Sequence, residues 1–149
     1  MNGDVIDKSS VARAAAIGLL LFVPLWAIPA AVVKEEHKFE TSAWGIVLTL
    51  AVFAIYAIVG FLAARMTPSA PISNGMVAAI TAFVLWIPVR IVIWAVRDTG
   101  KGLFGGVDPV FTPARILGQI LFAAAFGAIG AWIASRRSAR RAGHGSADA

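Results

Sequence analysis

The chain reads as an all-α integral membrane bundle of four helices, arranged as two helical hairpins. Three observations predict this. Four long apolar stretches, Ala14–Val33, Ala43–Ala64, Gly75–Val96 and Ile116–Ala134, occupy most of 149 residues, and Arg90 is their one charged residue. A helix rising about 1.5 Å per residue crosses a hydrocarbon core of roughly 30 Å in about 20 residues, the length of each stretch. Hydrophobic residues make up 59% and charged residues 14%, with a mean hydropathy of +0.81. A soluble domain carries about 25% charged residues, so a soluble chain this apolar would expose adhesive patches.

The first helix is expected over about 11–33, with Ser9-Ser10 as its N-cap. Lys8 and Arg13 before an apolar run resemble a signal peptide, but 20 uncharged residues exceed the usual signal core of about 7–15. A retained helix is expected. Pro24 and Pro29 leave the carbonyls of Leu20 and Leu25 without helical donors, which predicts a kink.

A short charged loop, Lys34 to Glu40, follows. Thr41-Ser42 would cap helix 2, over about 43–64. Arg65, Thr67-Pro68 and Ala70-Pro71 then break the chain, and Ser73-Asn74 would start helix 3, over about 74–96. The connection from Asp98 to Thr112 is glycine-rich yet partly apolar, and is expected to lie along the membrane interface. A re-entrant segment is the alternative. Pro113 suits the first turn of helix 4, over about 113–135. Residues 136–149 form a basic tail, expected to be disordered. Trp44, Trp94 and Trp132 fall at the proposed boundaries, where indole rings prefer headgroup depth.

Four crossings put both termini on one side. If that side is the cytoplasm, it holds Lys8, Arg13, Arg65, Arg136, Arg137, Arg140 and Arg141, against Lys34, Lys38, Arg97, Lys101 and Arg115 outside. Basic residues near helix ends favour the inner face, which predicts a multi-pass protein with cytoplasmic termini. The halves also echo one another. Phe22–Pro29 resembles Phe83–Pro88 with gaps, and Phe61–Arg65 resembles Trp132–Arg136, as a duplicated hairpin in parallel orientation would produce.

The run Gly60-Phe61-Leu62-Ala63-Ala64-Arg65, a proline-bearing turn, and Pro71-Ile72-Ser73-Asn74-Gly75-Met76-Val77-Ala78-Ala79 resembles the middle of a broad group of small bacterial, actinobacterial-type four-helix membrane proteins of unassigned function. The resemblance implies a bacterial cytoplasmic membrane and transfers no catalytic or ligand-binding residue. An acidic residue in the first helix, expected of small multidrug transporters, is missing.

Chemistry has few candidates. There is no cysteine, both histidines (His37 and His144) lie outside the apolar stretches, and no Asp, Glu or Lys is embedded, so cofactors, metals and catalysis are not expected. The cluster Glu35, Glu36, His37, Glu40 reads as a solvated loop before it reads as a cation site. Arg90 has Trp86 and Trp94 four residues to either side, on one helical face. It would either snorkel to the interface, bond to Gln119 or to carbonyls freed by proline, or bind a ligand or lipid phosphate. Gln119 would make an interhelical hydrogen bond or a functional contact.

Gly60, Ala64, Ala123, Gly127 and Ala131 form small-residue stripes that allow backbones to approach, either inside one bundle or at a dimer or partner interface. Arg136, Arg137, Arg140 and Arg141 would anchor topology or contact anionic lipid. Nucleic acid is not an expected partner; the bilayer, and another membrane protein or a second copy, are. The function expected first is a non-catalytic accessory or assembly subunit of a larger membrane complex. The alternative is a small oligomeric transporter or channel with its site near Arg90. An intramembrane enzyme comes third.

Overall fold

The computed structural model describes residues 6–32, 43–96, 103–104 and 111–144, and the side chains of 26–32, 43–44 and 139–144 lie outside that description. Four helices account for nearly all of it: α1 Lys8–Val32, α2 Ala43–Met66, α3 Pro71–Val96 and α4 Pro113–His144. No strand occurs among the described residues. All four helices are long and apolar enough to cross a bilayer.

Several ends differ from the sequence reading, each for a local reason. Helix α1 begins at Lys8 because Asp7, not Ser9 or Ser10, caps it. The Asp7 carboxylate accepts the Ser9 backbone N–H at 3.0 Å and the Ser9 hydroxyl at 2.9 Å, and it also accepts the Ser10 hydroxyl. Helix α3 begins at Pro71, where a missing N–H costs nothing. Helix α4 runs nine residues past the expected 135, so 136–144 are helical where a disordered tail was expected. The segment Ser135–Ala142 is all Ala, Arg and Ser, and alanine and arginine are strong helix formers. Residues 145–149 lie outside the description, as do the Lys34–Glu40 loop with its acidic cluster and all but 103, 104, 111 and 112 of the second long connection. Helix α1 continues through Pro24 and Pro29 to Val32.

The bundle is a rhombus. Helices α2 and α3 pack against each other along its short diagonal. Helix α4 fills the groove on one side of that pair, and α1 the groove on the other. Among the described residues α1 and α4 do not meet. A two-fold axis exchanging the hairpins would map the α2–α3 contact onto α1–α4, so the helices are not disposed about such an axis.

Two layers hold the bundle together. Nearer the α2–α3 turn, backbones touch. A Cβ on Gly60 would collide with the Gly127 carbonyl, and one on Gly130 would collide with the Ala57 carbonyl, so the parallel helices α2 and α4 meet at van der Waals contact of their main chains. Gly75 of α3 closes the same knot against Gly127 and Ala131. Further along, aromatic rings replace glycine. Phe22 of α1 stacks on Trp86 of α3 at 5.5 Å and meets Tyr56 of α2 edge-on, also at 5.5 Å. Phe53 of α2 stacks on Phe126 of α4 at 4.5 Å and lies 5.0 Å from Phe122.

Outside these layers the surface is apolar. Leu20, Leu50, Val92, Leu117 and Leu121, from all four helices, are more than half exposed. At most a third of any candidate span is buried inside the chain.

Candidate functional site

Arg90 lies two turns before the end of α3, which places it near the aromatic layer and away from the α2–α3 turn. It is half-buried, with its guanidinium carbon 5.2 Å from the centroid of the Phe111 ring. Phe111 is itself buried, and its N–H donates to the Leu103 carbonyl at 2.9 Å, so the chain before α4 folds back over this end of α3. Thr112 then caps α4 by accepting the Arg115 N–H at 3.1 Å. Arg115 and Tyr56 both lie within electrostatic reach of Arg90.

Of the residues grouped with Arg90 by sequence, Trp86 is buried at 4% exposure and its ring lies against Phe22 in the core, while Trp94 is half-buried. Gln119 accepts a long hydrogen bond from the Tyr56 hydroxyl, 3.4 Å, bridging α4 to α2. Tyr56 is the partner that sequence reasoning missed. It is the chain's single tyrosine, and a phenol buried at 1% exposure requires an acceptor.

The five small residues proposed for helix packing all turn inward. Ala123 and Ala131 are fully buried and Ala64 nearly so, while Gly60 and Gly127 face each other. These contacts are made within one chain, and a second copy has no access to them.

A second group of polar side chains lies at the end carrying the α2–α3 turn. Asn74 is fully buried, its Oδ1 accepting the Asp7 N–H at 3.0 Å while its amide donates to the Ala70 carbonyl at 2.9 Å. Thr67 donates a long bond to the Asp7 carboxylate at 3.5 Å. The hydroxyls of Ser10 and Ser9 and the Ser9 N–H hold the Asp7 carboxyl down to about 2.

At the same end of the bundle, on α4, Arg136 lies over Trp132, 4.0 Å from the ring centroid. Arg137 turns the other way, over Phe61 of α2, and the Arg140 and Arg141 side chains lie outside the description. Among the described residues no three His, Asp or Glu side chains cluster as metal ligands would. Comparison with family models, with curated proteins and with solved structures gave no match, so the residues alone carry the functional reading.

Proposed function

We propose that this chain is a non-catalytic four-span protein of the bacterial cytoplasmic membrane, with both termini cytoplasmic, serving as an accessory or assembly subunit of a larger membrane complex. One observation supports this most. Among the described residues the interior is filled by touching backbones at one level and by interlocked rings at the next, while two thirds or more of each span is left unburied. A filled interior suits a scaffold better than a conduit, and the unburied apolar surface suits lipid and a partner helix. The partner meets the outer faces of the bundle, because the small-residue stripes are already occupied.

Extraction into mild detergent or nanodiscs, followed by intact-complex mass measurement, tests the proposal. A partner retained at fixed stoichiometry is the expected result. A bare monomer under every mild condition overturns it. A second reading, an oligomeric transporter or channel, draws on half-buried Arg90 beneath Phe111. It requires solute flux in proteoliposomes that Arg90→Ala abolishes.

A further inference from the structure

Helix α2 ends with Phe61 and Arg65 one turn apart, so the arginine lies back over the ring, 5.6 Å from its centroid. Arg137 arrives from α4 and places its guanidinium carbon 5.6 Å from the same centroid. One ring thus holds two cations, separated by no more than twice that distance. A partly open cleft lies between them, lined by Phe61, Arg65, Ala134, Arg137 and Ser138.

The described lining of the cleft carries donors and no carboxylate. Among the described residues no carboxylate pairs with Arg65 or Arg137; their contacts are with the Phe61 ring. Ser138 spends its hydroxyl proton on the Ala134 carbonyl at 3.2 Å, which leaves recognition to the two guanidinium forks. Two cations gathered on one ring repel each other, and an oxyanion between them relieves that repulsion. Planar forks of N–H donors suit the tetrahedral oxygens of phosphate, which accept paired hydrogen bonds.

We propose that Arg65 and Arg137, held by Phe61, form a phosphate-binding cleft between the end of α2 and the flank of α4 at Ala134–Ser138, and that its ligand is the phosphate of an anionic phospholipid headgroup or free phosphate. The lipid source rests on the membrane reading above, which brings this end of the bundle to headgroup depth. The cleft is distinct from a diffuse arginine tail. Arg136, next in sequence to Arg137, is held on Trp132 and does not line it.

The test uses three single variants that each remove one exposed arginine: Arg65→Gln, Arg137→Gln and Arg136→Gln. Each is reconstituted in nanodiscs of phosphatidylcholine containing a minor fraction of phosphatidylglycerol, and retained phosphatidylglycerol is counted by native mass spectrometry. In parallel, thermal stability in pure phosphatidylcholine is followed as inorganic phosphate is added.

Arg65→Gln and Arg137→Gln are expected to lower phosphatidylglycerol retention roughly tenfold, the scale of one charge-assisted contact, and Arg136→Gln by less than about twofold. Stabilisation by inorganic phosphate that only Arg65→Gln and Arg137→Gln abolish, without lipid retention, supports the cleft and assigns its ligand to the aqueous phase. Equal losses in all three variants, or none in any, overturn the cleft. Recovery of the chain without detergent overturns the membrane reading instead, and the phosphate arm then still decides the cleft on its own.

Discussion

The backbone N–H of Asp7 donates to the side-chain oxygen of Asn74 across 67 residues of sequence, at 3.0 Å. The start of α1 is thereby tied to the first turn of α3, and Asn74, fully buried, has its amide bound to Ala70 as well. Removing a buried partner costs about 1–3 kcal/mol because the group left behind is unpaired. Asn74→Ala should therefore destabilise the chain by about that much and loosen the first turn of α1 before the rest. Hydrogen exchange of the peptide covering residues 6–13 is the direct readout. Protection there equal to wild type would show that the bond contributes nothing.

The same aspartate gives the fold a dependence on pH. Its carboxyl is held down to about 2, well below the ordinary carboxylate range, because Ser10 and Ser9 bond to the ionised form. A depressed carboxyl contributes stability that is complete above its unfolded value and lost as pH falls toward the folded one. Wild-type thermal stability should thus decline faster than that of Asp7→Asn between about pH 4 and pH 2, and the difference between the two proteins should be constant above about pH 5. Parallel curves across the acid range would remove Asp7 from the account. Because the half-buried group keeps contact with solvent, the expected difference is small.

The glycine knot makes a paired prediction. A methyl at Gly60 runs into the Gly127 backbone, whereas one at Gly118, also within α4, finds nothing within 4 Å. Backbone atoms yield less readily than a flexible side chain. Gly60→Ala should therefore lower stability by about 1–3 kcal/mol, while Gly118→Ala should be neutral or mildly stabilising. Denaturation in a mixed micelle, reported as the shift between the two variants, checks this. Equal effects would show that the close approach is not maintained in solution.

The four helices were legible in the sequence because hydropathy accumulates over some twenty residues, which makes it robust to local error. Helix ends were less legible. Whether Asp7 or Ser9 caps α1 depends on a competition among adjacent hydrogen-bonding side chains, and α4 persists past Ser135 because its arginines are good helix formers, although composition alone suggests a loose tail. Contacts between helices were least legible. Apolar residues lie all round α2 and α3, so periodicity singles out no inward face. The four-residue spacing puts Trp86 on the face of Arg90, but it does not announce that the Trp86 ring is a core ring stacked on Phe22. The Phe61–Arg65 spacing was visible, but its meaning depends on Arg137 arriving from another helix, which no local pattern announces.

Tyr56 separates packing from polarity within the aromatic layer. Its ring meets Phe22 at 5.5 Å and is almost wholly buried, but its hydroxyl reaches Gln119 only at 3.4 Å, a long bond. Hydrogen bonds between membrane helices average about 0.6 kcal/mol, so Tyr56→Phe should cost no more than that. Tyr56→Ala opens a cavity among Phe22, Val59 and Trp86, and truncation of a large buried ring costs about 3–5 kcal/mol. If the ring supplies the stability, the alanine variant should unfold at far lower denaturant concentration while the phenylalanine variant follows wild type. If both variants fall together, the Tyr56–Gln119 bond is the stronger element, and the link between α2 and α4 at this level is polar instead of steric.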